Sequence, residues 1–248
     1  MKKGICIAII GKNCGNVAAR LNKSALNFNE KIYVDDHSTD KSAEIFEKYG
    51  FRVFKRHLNG DFSSQRNFVL ENSESDWIFF LDSDEKIEKS FYGKALSKIE
   101  EGKYNGFKIR RKVYFVGKLM KGTEMGNDYV VRLANKRNGK WSRKVHEIWN
   151  IDGEVGELDS PIYHYTALYL SGFIDKIGNY HKLHVSAKVS SGEHSSIAKI
   201  LLNPPAKFID NFYFQKGYRD ESYGLVVSIL MSFHSFLSWS HLWLTRRK

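Results

Sequence analysis

Trp77-Ile78-Phe79-Phe80-Leu81-Asp82-Ser83-Asp84-Glu85 is the stretch on which the fold turns. Its apolar run is short for a helix and suits a strand buried on both faces. The run ends abruptly in acids, so the carboxylates emerge where a strand leaves the core. In open parallel sheets, ligands bind at the carboxyl ends of strands. Two acids at i and i+2 of an extended segment can lie on one side. Two anions held close are costly without a counter-charge, and oxygen ligands of this kind suit Mg²⁺ or Mn²⁺. Asp82 and Asp84 are therefore candidate metal ligands. The plain alternative is one aspartate capping a helix and the other solvated; the spacing alone does not separate the two.

Working outward, the N-terminal half alternates strand and helix patterns. Ile5–Ile10 reads as a buried strand and Asn16–Asn27 as a helix. Ile32–Val34 is a strand ending in Asp35-Asp36, and Asp40 or Ser38 can cap the helix that Gly50 stops. Phe51–Phe54 is a third strand, and Ser63 can cap a helix containing Gln65-Arg66-Asn67. This order predicts a mostly parallel sheet with helices on both faces. Phe107–Val116 and Tyr129–Leu133 are β-like. From Leu168 the chain reads as helical (168–191, 206–216 and 223–244), with Pro204-Pro205 separating two of these helices. The expected division is residues 1–165 as an α/β domain and 166–248 as a helical region.

The chain has 248 residues and a formal net charge of +11. Between Lys108 and Lys144 there are 12 Lys/Arg against Glu124 and Asp128, which is 12 − 2 = +10. This concentration marks an anion-facing or membrane-facing surface. Cys6 and Cys14 can form neither a disulfide framework nor a zinc pair, and read as free thiols of a reducing compartment. The apolar run after Met1 is too short for a secretory leader, so the catalytic part is expected in the cytoplasm. From Tyr223 to Leu244 the chain carries no Asp, Glu, Lys or Arg across 22 residues, and Arg246-Arg247-Lys248 follow. Ser228, Ser232 and Ser235 share one helical face there. Trp239 and Trp243 sit before the basic end, where interface anchors are found. A helix lying on the inner face of the cell membrane, one spanning it, or a core helix all fit this pattern.

Several enzyme classes fall away. There is no phosphate loop, no dinucleotide fingerprint and no hydrolase elbow. Haloacid dehalogenase phosphatases open with D-x-D after their first strand, but here Lys86 takes the fifth position and the pair comes after several strands. A basic nucleic-acid binder, with aromatics among its lysines, leaves Asp35-Asp36 and Asp82-x-Asp84 unexplained, because those acids repel phosphates. No nucleic-acid partner is expected.

Ile7-Ala8-Ile9-Ile10-Gly11-Lys12-Asn13, Val34-Asp35-Asp36-His37-Ser38-Thr39-Asp40, Gln65-Arg66-Asn67 and Asp76–Glu85, with Arg132-Leu133 and Val145-His146-Glu147 further on, together resemble an inverting family 2 glycosyltransferase of the GT-A fold. With the helical tail they are similar to bacterial lipopolysaccharide-core glucosyltransferases. The chain departs at His37, where small glycine is common, and at Gly11, where threonine is common. The resemblance implies a nucleotide-sugar donor, with UDP as the nucleotide, and a glycan or glycolipid acceptor. It places Lys12, Asn13, Asp35, Asp36, Arg66 and Asp82 around the nucleotide. It makes Asp84, with Asp82 and His146, the holders of Mg²⁺ or Mn²⁺. In such a transfer a carboxylate takes the proton of the acceptor hydroxyl, and Glu147 and Asp128 are the candidates, Glu147 favoured. His164 is a weaker site candidate, and Trp141 and Trp149 are candidate sugar-stacking faces. A relative that binds donor without turnover is the remaining alternative.

Overall fold

The structure is a computed structural model describing residues 4–126, 128–143, 147–167, 169–190 and 192–245. The chain divides into two compact units, Met1–Arg111 with Tyr129–His164, and Lys112–Asp128 with Tyr165–Lys248.

In the first unit, β1 (Ile5–Gly11), α1 (Ala18–Ala25), β2 (Glu30–Asp35), α2 (Ser42–Lys48), β3 (Arg52–Lys55), α3 (Phe62–Asn72) and β4 (Trp77–Phe80) follow in the order expected. Then come β5 (Glu85–Lys86), α4 (Phe91–Glu100) and β6 (Gly106–Phe115), with β7 (Lys118–Leu119) and α5 (Thr123–Gly126) in the second unit. β8 (Asp128–Asn135), β9 (Gly139–Ser142), β10 (Ile148–Ile151) and β11 (Val155–Ala167) complete the strands. The larger sheet runs β3-β2-β1-β4-β8-β6-β11-β5, with β7 beside β6, while β9 and β10 form a separate ribbon. β3, β2, β1 and β4 are parallel, and the sheet turns antiparallel where β8 joins β4.

The alternation of β1 builds a core on each face. Ile5, Ile7 and Ile9 pack with Leu21, Phe46, Phe79 and Phe91, while Cys6 and Ala8 pack with Val69, Ile78, Phe80, Trp141 and Trp149. Both cysteines are free and buried. Two local expectations are corrected. Asp61, not Ser63, caps α3, accepting the Ser64 amide at 2.9 Å. Trp141 and Trp149 are buried and stacked on each other, each edge-on to Phe80. Their apolar faces are spent on the core, so they offer no platform to a sugar.

The second unit adds α6 (Leu170–Ser190), α7 (Ile197–Ile209), a π-helical turn at Asp210–Phe214, a 3-10 turn at Gly217–Asp220 and α8 (Glu221–Thr245). Phe115, Met120, Phe173, Ile177 and Val227 form its core. Pro204 and Pro205 lie inside α7 rather than between helices. Proline removes a helical donor, but Pro204 is buried and Ser232 of α8 donates to its carbonyl at 2.8 Å, so packing carries the helix through the break. Asp220, fully buried, accepts the amides of Lys121 at 2.9 Å and Gly122 at 2.6 Å and fixes the turn before α5.

Replacing Phe80, which is fully buried, removes the ring on which both indoles pack. Phe80→Ala is expected to cost about 3–5 kcal/mol, read as a lowered urea midpoint followed by tryptophan fluorescence.

Candidate active site

Strand register gathers the acids. Gly11 lies opposite Asp35 and Ala8 opposite Phe80, so β1, β2 and β4 end together. Lys12, Asn13, Asp36 and Asp82 therefore leave the sheet along one edge. Asn13 adopts a left-handed backbone (φ 54°), which asparagine tolerates better than most residues. It donates its amide to Ser38 Oγ at 2.8 Å and accepts the Thr39 amide at 2.8 Å, tying the loops after β1 and β2. Asp35 is buried, held by Tyr33 and Ser38. Asp36 stays accessible: its Oδ1 accepts the Leu58 amide at 2.8 Å and its Oδ2 lies 3.9 Å from Lys12 Nζ. Asp35 thus shapes the turn, and Asp36 keeps part of its carboxylate open to solvent.

At the end of β4, Asp82 sits between two guanidinium groups. Arg66 of α3 donates to Oδ1 at 3.0 Å, and Arg132 of β8 to Oδ2 at 2.6 Å. Arg66 also reaches Glu147 Oε1 at 2.9 Å. The Arg66 side chain is 4% exposed and lies over the rings of Phe80 and Trp141, 5.1 and 4.7 Å from their centroids. Burial works against its charge, but the Asp82 and Glu147 carboxylates outweigh burial and raise its pKa. Burial likewise opposes ionisation of Asp82, but Arg132, then Arg66 and Arg111, hold its pKa far below the usual carboxylate range. Arg132 is pulled down by its own burial. Glu85, fully buried, accepts the Asp82 amide at 3.0 Å and faces Arg111 at 3.5 Å. Burial and the neighbouring Asp82 push its pKa up.

Asp84 has a different partner. β5 pairs antiparallel with β11, Glu85 opposite His164, and this register places His164 Nε2 3.1 Å from Asp84 Oδ2. The carboxylate is 36% exposed, and His164 Nδ1 is buried with no hydrogen-bond partner. The carboxylate suits a divalent cation of the Mg²⁺ or Mn²⁺ type, and the imidazole adds a nitrogen donor beside it. Among the described residues no group of three or more His, Cys, Asp or Glu could hold a metal, so such a cation would draw further oxygens from a diphosphate and water.

The expected residues are thus brought together in part. Lys12, Asn13, Asp35, Asp36, Arg66, Asp82, Asp84 and Glu147 belong to the first unit; Asp128 opens β8 in the second. His146 lies outside the described residues. Both oxygens of Asp82 are engaged by arginine, which makes it a poor place for a cation. Arg132, Arg111 and His164 are the partners that motif reading left without a firm role. The strand period offered one signal: Leu158, Ser160 and Ile162 alternate inward along β11, and His164 continues that parity. Part of the basic stretch 108–144 meets acids of the protein itself. Arg111 and Arg132 turn to Glu85 and Asp82, Arg137 pairs with Asp76 at 2.9 Å, and Lys108 with Glu157 at 3.3 Å. Arg111 and Arg132 are thereby drawn into the protein, while Lys108 and Arg137 stay on its surface.

A sheet that is parallel on one side, antiparallel beyond its acid-bearing strand, and lined with carboxylates at one edge is an architecture of the GT-A type. The chain belongs to glycosyl transferase family 2, whose sequence model matches residues 6–148. It is similar to the lipopolysaccharide core biosynthesis glycosyltransferase LpsC of Rhizobium meliloti, 26% identical over 220 residues that cover 84% of this chain and 80% of LpsC. It also matches an uncharacterized glycosyltransferase of Rickettsia typhi, 23% identical over 251 residues and covering 96% and 85% of the two chains. Among solved structures, S. aureus TarS residues 1–349 share the fold at a TM-score of 0.50 and 13% identity, covering 96% of this chain and 90% of that one.

Because Asp82 is held ionised far below its unfolded pKa, its contribution to stability is complete at neutral pH and is lost as the pH falls below about 4. Asp82→Asn should flatten that acid limb in urea titrations at a series of pH values. Arg132→Met removes half the counter-charge of a carboxylate that is 32% exposed, and should cost about 2–3 kcal/mol at pH 7, the lower range for a broken ion pair because water still reaches Asp82.

Proposed function

We propose that this glycosyltransferase moves a sugar, with inversion, from a UDP-sugar to a cell-envelope glycan or glycolipid of the lipopolysaccharide-core type. The observation that carries the proposal is the Asp82 bridge between Arg66 and Arg132, beside the Asp84–His164 pair and on the same edge as Asp36. The acceptor class is supported by the similarity to LpsC, a glycosyltransferase of lipopolysaccharide core biosynthesis.

In this reading Asp36 accepts a hydrogen bond from the nucleobase or ribose, and Lys12 lies near the phosphates. Asp84 and His164 would hold Mg²⁺ or Mn²⁺, and the ion would supply positive charge against the nucleoside diphosphate. Arg66 and Arg132 keep Asp82 ionised and fixed, and their cationic field extends to the diphosphate. Glu147 is the base. Its Oε1 is bonded to Arg66, which aims the carboxylate and leaves Oε2 to take the proton of the acceptor hydroxyl as that oxygen attacks the anomeric carbon. Positioning and fixed charge supply most of the rate.

UDP with Mn²⁺ should raise the melting temperature more than UDP alone, and Asp84→Ala and His164→Ala should each abolish the metal-dependent increment. A shift that persists in both variants overturns the assignment of those ligands. Glu147→Gln should keep the shift yet lower UDP release from the productive UDP-sugar by at least about a hundredfold; near-normal turnover would remove Glu147 as the base.

A further inference from the structure

The second unit carries an apolar panel that is exposed among the described residues. Every exposed residue of α8 between Tyr223 and Leu244 is apolar, although that stretch contains five serines. Leu225, Val226, Ile229, Phe233 and Phe236 fall within an arc of about 100°. Gly224, Val227, Ser228, Ser238 and Leu242 are buried on the opposite side. Two of the inner hydroxyls donate to carbonyls, Ser228 to Gly224 at 2.7 Å and Ser232 to Pro204 at 2.8 Å.

α7 is built the same way. All its exposed residues are apolar, with Leu201 64% and Leu202 67% accessible. Its two lysines are engaged rather than extended: Lys199 donates to the His194 carbonyl at 2.7 Å, and Lys207 lies 2.5 Å from Glu124. The turn between the helices exposes Phe214 at 76%. Small and hydroxyl-bearing residues inside, with large apolar residues outside, reverse the pattern of a water-facing helix and match helices solvated by lipid. One end of the pair is marked by charge. Lys188 and Lys199 lie over the ring of Trp239, 3.9 and 4.8 Å from its centroid. Indole with lysine is the chemistry of the membrane–water boundary, and Arg246-Arg247-Lys248 follow α8 in the sequence.

We infer that α7 and α8 together form a bilayer-seated hairpin whose joint apolar panel enters an anionic leaflet, with Lys188, Lys199 and Trp239 at its headgroups. The candidate span by length and composition is Gly217–Thr245, within one helix and the turn before it; the panel is shared by two helices, so it lies in the surface rather than crossing it. The inference goes beyond the transfer reaction and does not depend on it.

The test is flotation of the full chain with vesicles of phosphatidylcholine, with or without phosphatidylglycerol. The wild type should float with the anionic vesicles. The pairs Leu201→Glu/Leu202→Glu on α7 and Ile229→Glu/Phe233→Glu on α8 should each lower the bound fraction at least about tenfold. Lys188→Gln/Lys199→Gln should abolish only the preference for phosphatidylglycerol. Circular dichroism checks helicity, and Leu201→Gln/Leu202→Gln provides a milder pair with the same expected direction. Flotation of the α7 variants at the wild-type level overturns the inference. So does a wild type that ignores vesicles and sediments as a dimer dissociated by the same substitutions, which would make the panel a contact between copies.

Discussion

The first unit depends on a carboxylate shared by two arginines. Asp82 follows an entirely apolar strand of the sheet, where an unpaired charge would be costly. Arg66 and Arg132 remove that cost, one from a helix and one from the antiparallel half of the sheet. Arg66 is itself held between Phe80 and Trp141, so the hydrophobic core positions the cation and the cation positions two carboxylates. Core and candidate site are one piece of construction. An imprecisely packed Trp141 would misplace Glu147 as surely as a substitution at Arg66.

The neighbouring aspartate is governed by backbone pairing. Asp84 meets His164 because a two-residue strand, β5, finds its partner in β11, about eighty positions later in the chain. Two acids separated by a single serine therefore have unlike surroundings. One is saturated by guanidinium groups; the other keeps a water-facing side and an imidazole. That division of labour cannot be read from the D-x-D spacing.

The strand–helix alternation of the first half was legible because each element there carries its own pattern: Ile5–Ile10 and Trp77–Leu81 are buried on both faces, and the acids stand where those runs stop. The grouping of Lys12, Asn13, Asp36 and Asp82 followed from the rule that parallel strands share a ligand-bearing edge. What was hidden depended on distant pairing. Arg132 and Arg111 looked like part of a basic surface, because a charge run does not reveal which of its members turn inward. Trp141 and Trp149 looked available for sugar because β9 and β10 are too short to show a face. Pro204-Pro205 looked like a break because the seat on α8 that sustains the helix lies 28 residues away in sequence. The serines of α8 showed that it has two faces, but not which one turns to the protein.

The indoles of Trp141 and Trp149 lie nearly parallel, 4.9 Å between ring centroids and 25° between planes. Electronic coupling between indoles this close depends on their mutual geometry, and so therefore does the near-ultraviolet circular dichroism of the pair. The ribbon of β9 and β10 is fastened to α3 by the two-way amide contact of Asn67 with the backbone of Trp141, 2.9 Å in each direction. The optical signature therefore exists only while the ribbon is closed on itself, and the protein carries an intrinsic, label-free gauge of order a few ångströms from Arg66.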